Sequence, residues 1–142
     1  MPYTPNIVIE EQKKGAKKTD WFPVLLPELQ TSATRTSGVF NNLYALGMMI
    51  TIVVENETGT FSVTPSLQTT DAYGDPITWW TASAPIDADG TYQYLVHNSP
   101  ETNAAFTETV QFAIPRDWKL VLTYSGTPAS DMADTKAAAR YI

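Results

Sequence analysis

From Thr31 onward, apolar positions recur at every second residue in short runs broken by turn residues, which predicts strands. Residues 49–55 are rich in β-branched side chains, and Asn56, Glu57, Thr58 and Gly59 read as the turn that follows. Residues 60–67 alternate with Phe61, Val63 and Leu67 on one face. Residues 71–76, Asp-Ala-Tyr-Gly-Asp-Pro, are turn chemistry, and residues 77–80 form a short strand. A turn at 87–90 leads into residues 91–96, where Tyr92, Tyr94 and Val96 share a face. After a loop at 98–103, residues 108–113 form another strand. Pro115 breaks it, and residues 118–124 resume with Trp118, Leu120, Leu122 and Tyr124 on one side, ended by Gly126 and Pro128. Tyr92, Tyr94, Leu120 and Leu122 are expected in one core layer. Residues 130–140 fit a helix by the placement of Asp131 and Asp134 early and Lys136 and Arg140 late. The reading adopted is an edge strand over the final few residues, 136–142, after a loop or single turn. The sum is an all-β fold, an antiparallel, jelly-roll-like β-sandwich spanning residues 31–142.

Residues 1–30 differ. Pro2, Pro5, Pro23 and Pro27 exclude a long helix and favour extended backbone. Two apolar islands interrupt this stretch: Ile7, Val8 and Ile9, then Trp21 and Phe22 leading into Val24, Leu25 and Leu26. Such residues are rare in a free tail. They predict an extended N-terminal arm that gains order by lying on a partner, with Ile7, Val8, Ile9, Trp21 and Phe22 as the contacts. Lys13, Lys14, Lys17 and Lys18 would meet acidic surface. The same side chains are equally satisfied if the arm folds back as an edge strand of its own domain.

Charge narrows the function. Between Arg35 and Arg116 there is no lysine or arginine, while eight carboxylates fall there: Glu55, Glu57, Asp71, Asp75, Asp87, Asp89, Glu101 and Glu108. A body without cations cannot neutralise a phosphate backbone, so nucleic acid is not expected as a partner. The net charge of −6 disfavours anionic surfaces. No apolar run approaches the length of about 20 residues that crosses a bilayer, so no membrane partner is expected. The start, Met-Pro-Tyr-Thr-Pro, lacks the features of a signal peptide, which predicts synthesis in a cytoplasm. Cysteine is absent, which removes disulfides and thiolate zinc sites. In 142 residues only 17% are charged, and threonine and serine take their place, as on surfaces that meet other proteins.

Candidate chemistry is thin. His97 is the sole histidine, at a strand end, and no Gly-x-Ser-x-Gly elbow accompanies it. Asp87 and Asp89 suggest calcium or glycosidase work, but the segment is too short for an EF-hand loop and reads as a turn. Asn56-Glu57-Thr58 matches a glycosylation sequon and reads as a hairpin turn. No enzyme activity, metal or cofactor is expected. The aromatics offer more. Trp79 and Trp80 must point to opposite faces of a strand. The outward one, beside Tyr73, could stack on a sugar, but packing under the Tyr73 loop or against another subunit is the preferred expectation.

Several stretches resemble small virion proteins of tailed bacteriophages, above all head decoration (cement) proteins. They are residues 30–38, Gln-Thr-Ser-Ala-Thr-Arg-Thr-Ser-Gly, and the aliphatic strand 48–54 with 59–65, Gly-Thr-Phe-Ser-Val-Thr-Pro. Residues 90–96, Gly-Thr-Tyr-Gln-Tyr-Leu-Val, and 114–124, Ile-Pro-Arg-Asp-Trp-Lys-Leu-Val-Leu-Thr-Tyr, complete the set. The likeness covers about two-thirds of the chain, as a style of strand and turn rather than a catalytic signature. It implies a non-enzymatic virion protein on the capsid surface that binds the major capsid protein, self-associates as a homotrimer and strengthens the shell. A neck, tail or fibre-base module is the related alternative, and a carbohydrate-binding sandwich using Tyr73 with Trp79 or Trp80 is the third.

Overall fold

A computed structural model of the chain describes residues 20–30, 34–58, 60–99, 105–126 and 132–142. Ten strands are described: β1 (Phe22–Gln30), β2 (Thr34–Thr36), β3 (Phe40–Asn41), β4 (Gly47–Thr58), β5 (Phe61–Thr70), β6 (Pro76–Thr81), β7 (Gly90–His97), β8 (Glu108–Gln111), β9 (Asp117–Gly126) and β10 (Met132–Tyr141). They form two sheets, ordered β1-β10-β4-β7-β8 and β2-β9-β5-β6, with β3 also pairing β9. The fold is the expected all-β sandwich. Pairing is antiparallel except at one edge, where β8 runs parallel to β7, with Tyr94 opposite Glu108 and His97 opposite Gln111.

The core lies between the sheets and follows the period-two readings. Met48, Ile50, Ile52 and Val54 of β4 are buried, as are Phe61, Val63 and Leu67 of β5 and Trp118, Leu120, Leu122 and Tyr124 of β9. Tyr94 and Val96 approach from β7, and Tyr92 packs at the margin. Tyr92 and Tyr94 therefore face Leu120 and Leu122 from the opposite sheet, within one core. Burial is the main cause that raises the Tyr94 hydroxyl far above the usual phenol range, with Glu108 adding to it.

Three local readings shift. Residues 56–58, expected as a turn, extend β4 to Thr58. The C-terminal segment is a long strand from Met132, inserted between β1 and β4 rather than lying at an edge. Its small Ala133, Ala137 and Ala139 point inward, where neighbouring Ile and Leu side chains fill the space and outweigh alanine's helical preference. Residues 22–30, assigned from sequence to the arm, are β1, paired with β10, and Val24 and Leu25 are buried in the core. The sheet therefore begins inside the span expected to be arm.

Both seams between the sheets are tied by side chains. On the β1–β2 side, the Arg35 guanidinium donates to the Thr135 carbonyl, to Thr135 Oγ1 at 3.0 Å and to the Leu26 carbonyl, and lies 3.6 Å from Glu28. On the β6–β8 side, Glu108 accepts from Trp80 Nε1 at 3.1 Å and from the Ser83 backbone N–H and hydroxyl at 2.9 and 3.0 Å. One end is closed by aromatics. Phe22, Phe40, Trp118 and Tyr141 meet with ring centroids 5.0–6.5 Å apart, and Trp118 Nε1 donates to Tyr141 OH at 2.9 Å.

Candidate interaction surface

The residues expected at interfaces separate into distinct environments. Ile7, Val8, Ile9, Lys13, Lys14, Lys17 and Lys18 lie outside the described residues. Phe22 belongs to the aromatic closure of the sandwich, and Trp21 stands beside it under the Arg140 guanidinium, 5.1 Å from the ring centroid. Trp80 is a core residue. Trp79 does not face outward as simple alternation requires. Leu67 pairs with Trp80 and Gln68 with Thr78, so Trp79 is the extra residue of a β-bulge. The bulge turns its ring into the β6–β8 seam, stacked on Phe112 at 4.6 Å. Its indole N–H is buried and finds no hydrogen-bond partner among the described residues. Trp79 is thus no open platform for a sugar ring, and Tyr73 alone of the three projects freely, 91% exposed.

Tyr73 is held out by a tight turn. Asp71 Oδ1 accepts from the backbone N–H of Tyr73 and Asp75 at 2.8 and 2.9 Å, and Gly74 takes φ of 85°, a conformation that favours glycine. The strand before this turn is fixed as well, because Thr69 and Thr70 hydroxyls donate to the Asp117 carboxylate at 3.1 and 2.7 Å. Those bonds, the Thr70 one first, hold the Asp117 carboxyl below its ordinary pKa.

The loop at residues 42–46 shares this end of the sandwich. Asn42 organises it: its side-chain oxygen accepts from the Ala45 N–H at 2.9 Å, and Nδ2 donates to the Ala45 and Ile114 carbonyls at 3.0 and 3.4 Å. The Asn42 N–H donates to the Arg116 carbonyl, which pins the loop to the start of β9. At Gly47 a Cβ would come within 2.4 Å of the His97 ring and 3.0 Å of the Val96 carbonyl, so only glycine allows this close strand approach. His97 is thereby occupied in structure, and its Nδ1 also accepts from the Ser99 N–H at 2.9 Å.

On this fixed frame Leu43, Tyr44 and Leu46 point into water, Tyr44 72% exposed. Of the eleven large exposed hydrophobics among the described residues, nine lie at this end: Trp21, Val39, Leu43, Tyr44, Leu46, Tyr73, Ile77, Phe112 and Ile142. The opposite end carries Glu55, Asp87 and Asp89, all exposed. The exposed apolar side chains are therefore concentrated at one end, where Asp20, Asp71, Asp75 and Asp117 stand as well. Sequence reading singled out Tyr73 and passed over residues 39–46. The available signal was a run without charge from Thr36 to Val54, whose Leu43, Tyr44 and Leu46 fit neither flanking strand.

Among the described residues no three His, Asp or Glu side chains gather where they could hold a metal ion, and no helix is long and apolar enough to cross a membrane. No protein-family model matches the chain, and no curated protein matches it. Among solved structures the chain is similar to one in the structure of the infectious bursal disease virus Gx strain, at 10% identity and a TM-score of 0.44. The match covers 84% of this chain and 30% of that one.

Proposed function

We propose that this chain is a non-enzymatic virion structural protein, a decoration subunit that binds the assembled head of a tailed phage through its apolar end. The observation that carries the reading is the concentration of exposed apolar side chains on one rigid end. A surface of that kind marks a protein–protein contact, because a lone soluble domain seldom leaves contiguous apolar area in water. Rigidity matters as much as composition. Loops already fixed by Asn42 and Asp71 lose little conformational entropy on docking, so more of the apolar burial appears as affinity. The opposite end, with Glu55, Asp87 and Asp89, would then face solvent and keep decorated particles from adhering to one another. The strand-and-turn resemblance described above supplies the virion context, with the major capsid protein as partner.

The test uses particles produced from the genome that encodes the chain. Purified virions should contain the protein at many copies. Leu46→Asp should remove it from particles while its melting temperature stays unchanged, because Leu46 supports no core. Retention of Leu46→Asp on particles, or absence of the natural protein from them, would overturn the proposal.

A further inference from the structure

An open groove of about 400 Å³ starts at Trp21 and runs along the outer face of the first sheet. It exists because β1 is bulged between Pro23 and Leu25 and again between Leu25 and Glu28, and so stands off the small Ala137 and Ala138 of β10. Trp21, Leu26, Val53 and Ala138 make it apolar. Among the described residues, the two large exposed hydrophobics outside the apolar end, Leu26 and Leu29, both belong to β1.

Two cations mark the groove. Arg140 stands over the Trp21 ring at its mouth, 5.1 Å from the centroid. Its Nε is buried with no acceptor among the described residues, and Nη2 has only the Met49 sulfur at 3.9 Å, a weak acceptor. Lys136 is exposed and lines the groove four residues before Arg140 on the same face of β10, a separation of about 13 Å. Among the described residues neither cation forms an ion pair. Ala138 lies midway between them and leaves a hollow. Beyond Lys136, Asp134 and Glu55 sit opposite each other across β10 and β4, and they close the far end to further carboxylates.

We propose that the groove takes an extended segment of the major capsid protein with acidic, aliphatic and acidic side chains at alternate positions. Such positions share one face of an extended chain and have the spacing of Lys136, Ala138 and Arg140. One carboxylate meets Arg140 and the other meets Lys136. The aliphatic side chain fills the hollow over Ala138, between Trp21 and Val53. A guanidinium held over an indole ring keeps terminal N–H groups for a carboxylate, and that pairing is among the strongest open to a side chain. β10 is already paired with β1 and β4, so the segment lies on the sheet by side-chain contact and adds no strand. The inference rests on the docking reading above, because the groove opens beside the end that meets the shell.

The probe is the peptide acetyl-Glu-Thr-Val-Thr-Glu-amide, with acetyl-Lys-Thr-Val-Thr-Lys-amide as its control. In NMR titrations of the full-length protein, the acidic peptide should shift the Trp21 indole and the Thr51 and Ala138 amides. The basic peptide should leave them in place. Arg140→Met, which keeps an apolar stem over Trp21, and Lys136→Gln should each weaken the acidic peptide several-fold. No shifts at millimolar peptide, equal shifts with both peptides, or unchanged affinity in both variants would overturn the proposal. On particles, Arg140→Glu combined with Lys136→Glu should lower occupancy several-fold, against the full loss expected of Leu46→Asp. Full occupancy by the double variant, beside loss by Leu46→Asp, would overturn this inference and leave the docking reading standing.

Discussion

Asp117 shows how one side chain fixes a surface far larger than itself. Its carboxylate ties Thr69 and Thr70 at the end of β5 to the start of β9, directly beneath the turn that presents Tyr73. These bonds favour the ionised form, so the folded pKa is depressed. A depressed folded value means stability that is present above the unfolded pKa and lost as pH falls through the folded one. Thr70→Val is expected to move the Asp117 carboxyl back toward the ordinary range, as followed by NMR titration. An unchanged titration would remove the Thr70 bond from this account. In the core, Leu122 is fully buried, and Leu122→Ala is expected to cost about 2–5 kcal/mol in urea unfolding. That position was legible because β9 alternates strictly over Trp118, Leu120, Leu122 and Tyr124. Trp79 was not, because a bulge inserts one residue and alternation then assigns the wrong face. Nothing in Ile-Thr-Trp-Trp announces the bulge; it arises from pairing with Leu67 and Gln68 on a strand near in sequence but matched only in the fold.

At the scale of elements, β1 changes the reading most. Prolines and an apolar Trp-Phe pair are as consistent with an arm as with an edge strand, since only Pro's missing N–H and fixed φ are visible in sequence. The structure separates the two by burial: Val24 and Leu25 enter the core, and Arg35 clamps the Leu26 carbonyl from the other sheet. Leu25→Ala should therefore lower stability by about 2–5 kcal/mol. A thermal melt unaffected by that change would mean that β1 detaches as an arm. The C-terminal strand was ambiguous for a related reason. Ala-rich sequence favours helix in isolation, and its strand conformation is imposed by β1 and β4 on either side. The parallel β7–β8 pair was likewise hidden, because the direction of an edge strand depends on the path of the connection before it, not on its four residues.

Across the whole molecule, the concentration of exposed apolar side chains at one end is the feature that bears on function, and it depends on topology. Residues 42–46, Tyr73, Phe112 and Ile142 are far apart in sequence and share one end only because of the way the two sheets are ordered and registered. The outer face of the second sheet adds a row of hydroxyls, with Thr34 opposite Thr123 and Thr123 opposite Thr64. A hydroxyl-rich, weakly charged face suits contact between copies, and sedimentation of the purified protein is expected to show a trimer. A strict monomer at all concentrations would remove self-association from the account. The most direct measurement is electron cryomicroscopy of virions made from the encoding genome. The sandwich should appear on the head with Leu43, Tyr44, Leu46 and Tyr73 against the shell and Asp87 and Asp89 toward solvent. Density that places the end carrying Asp87 and Asp89 on the shell, or the protein away from the head, would contradict it.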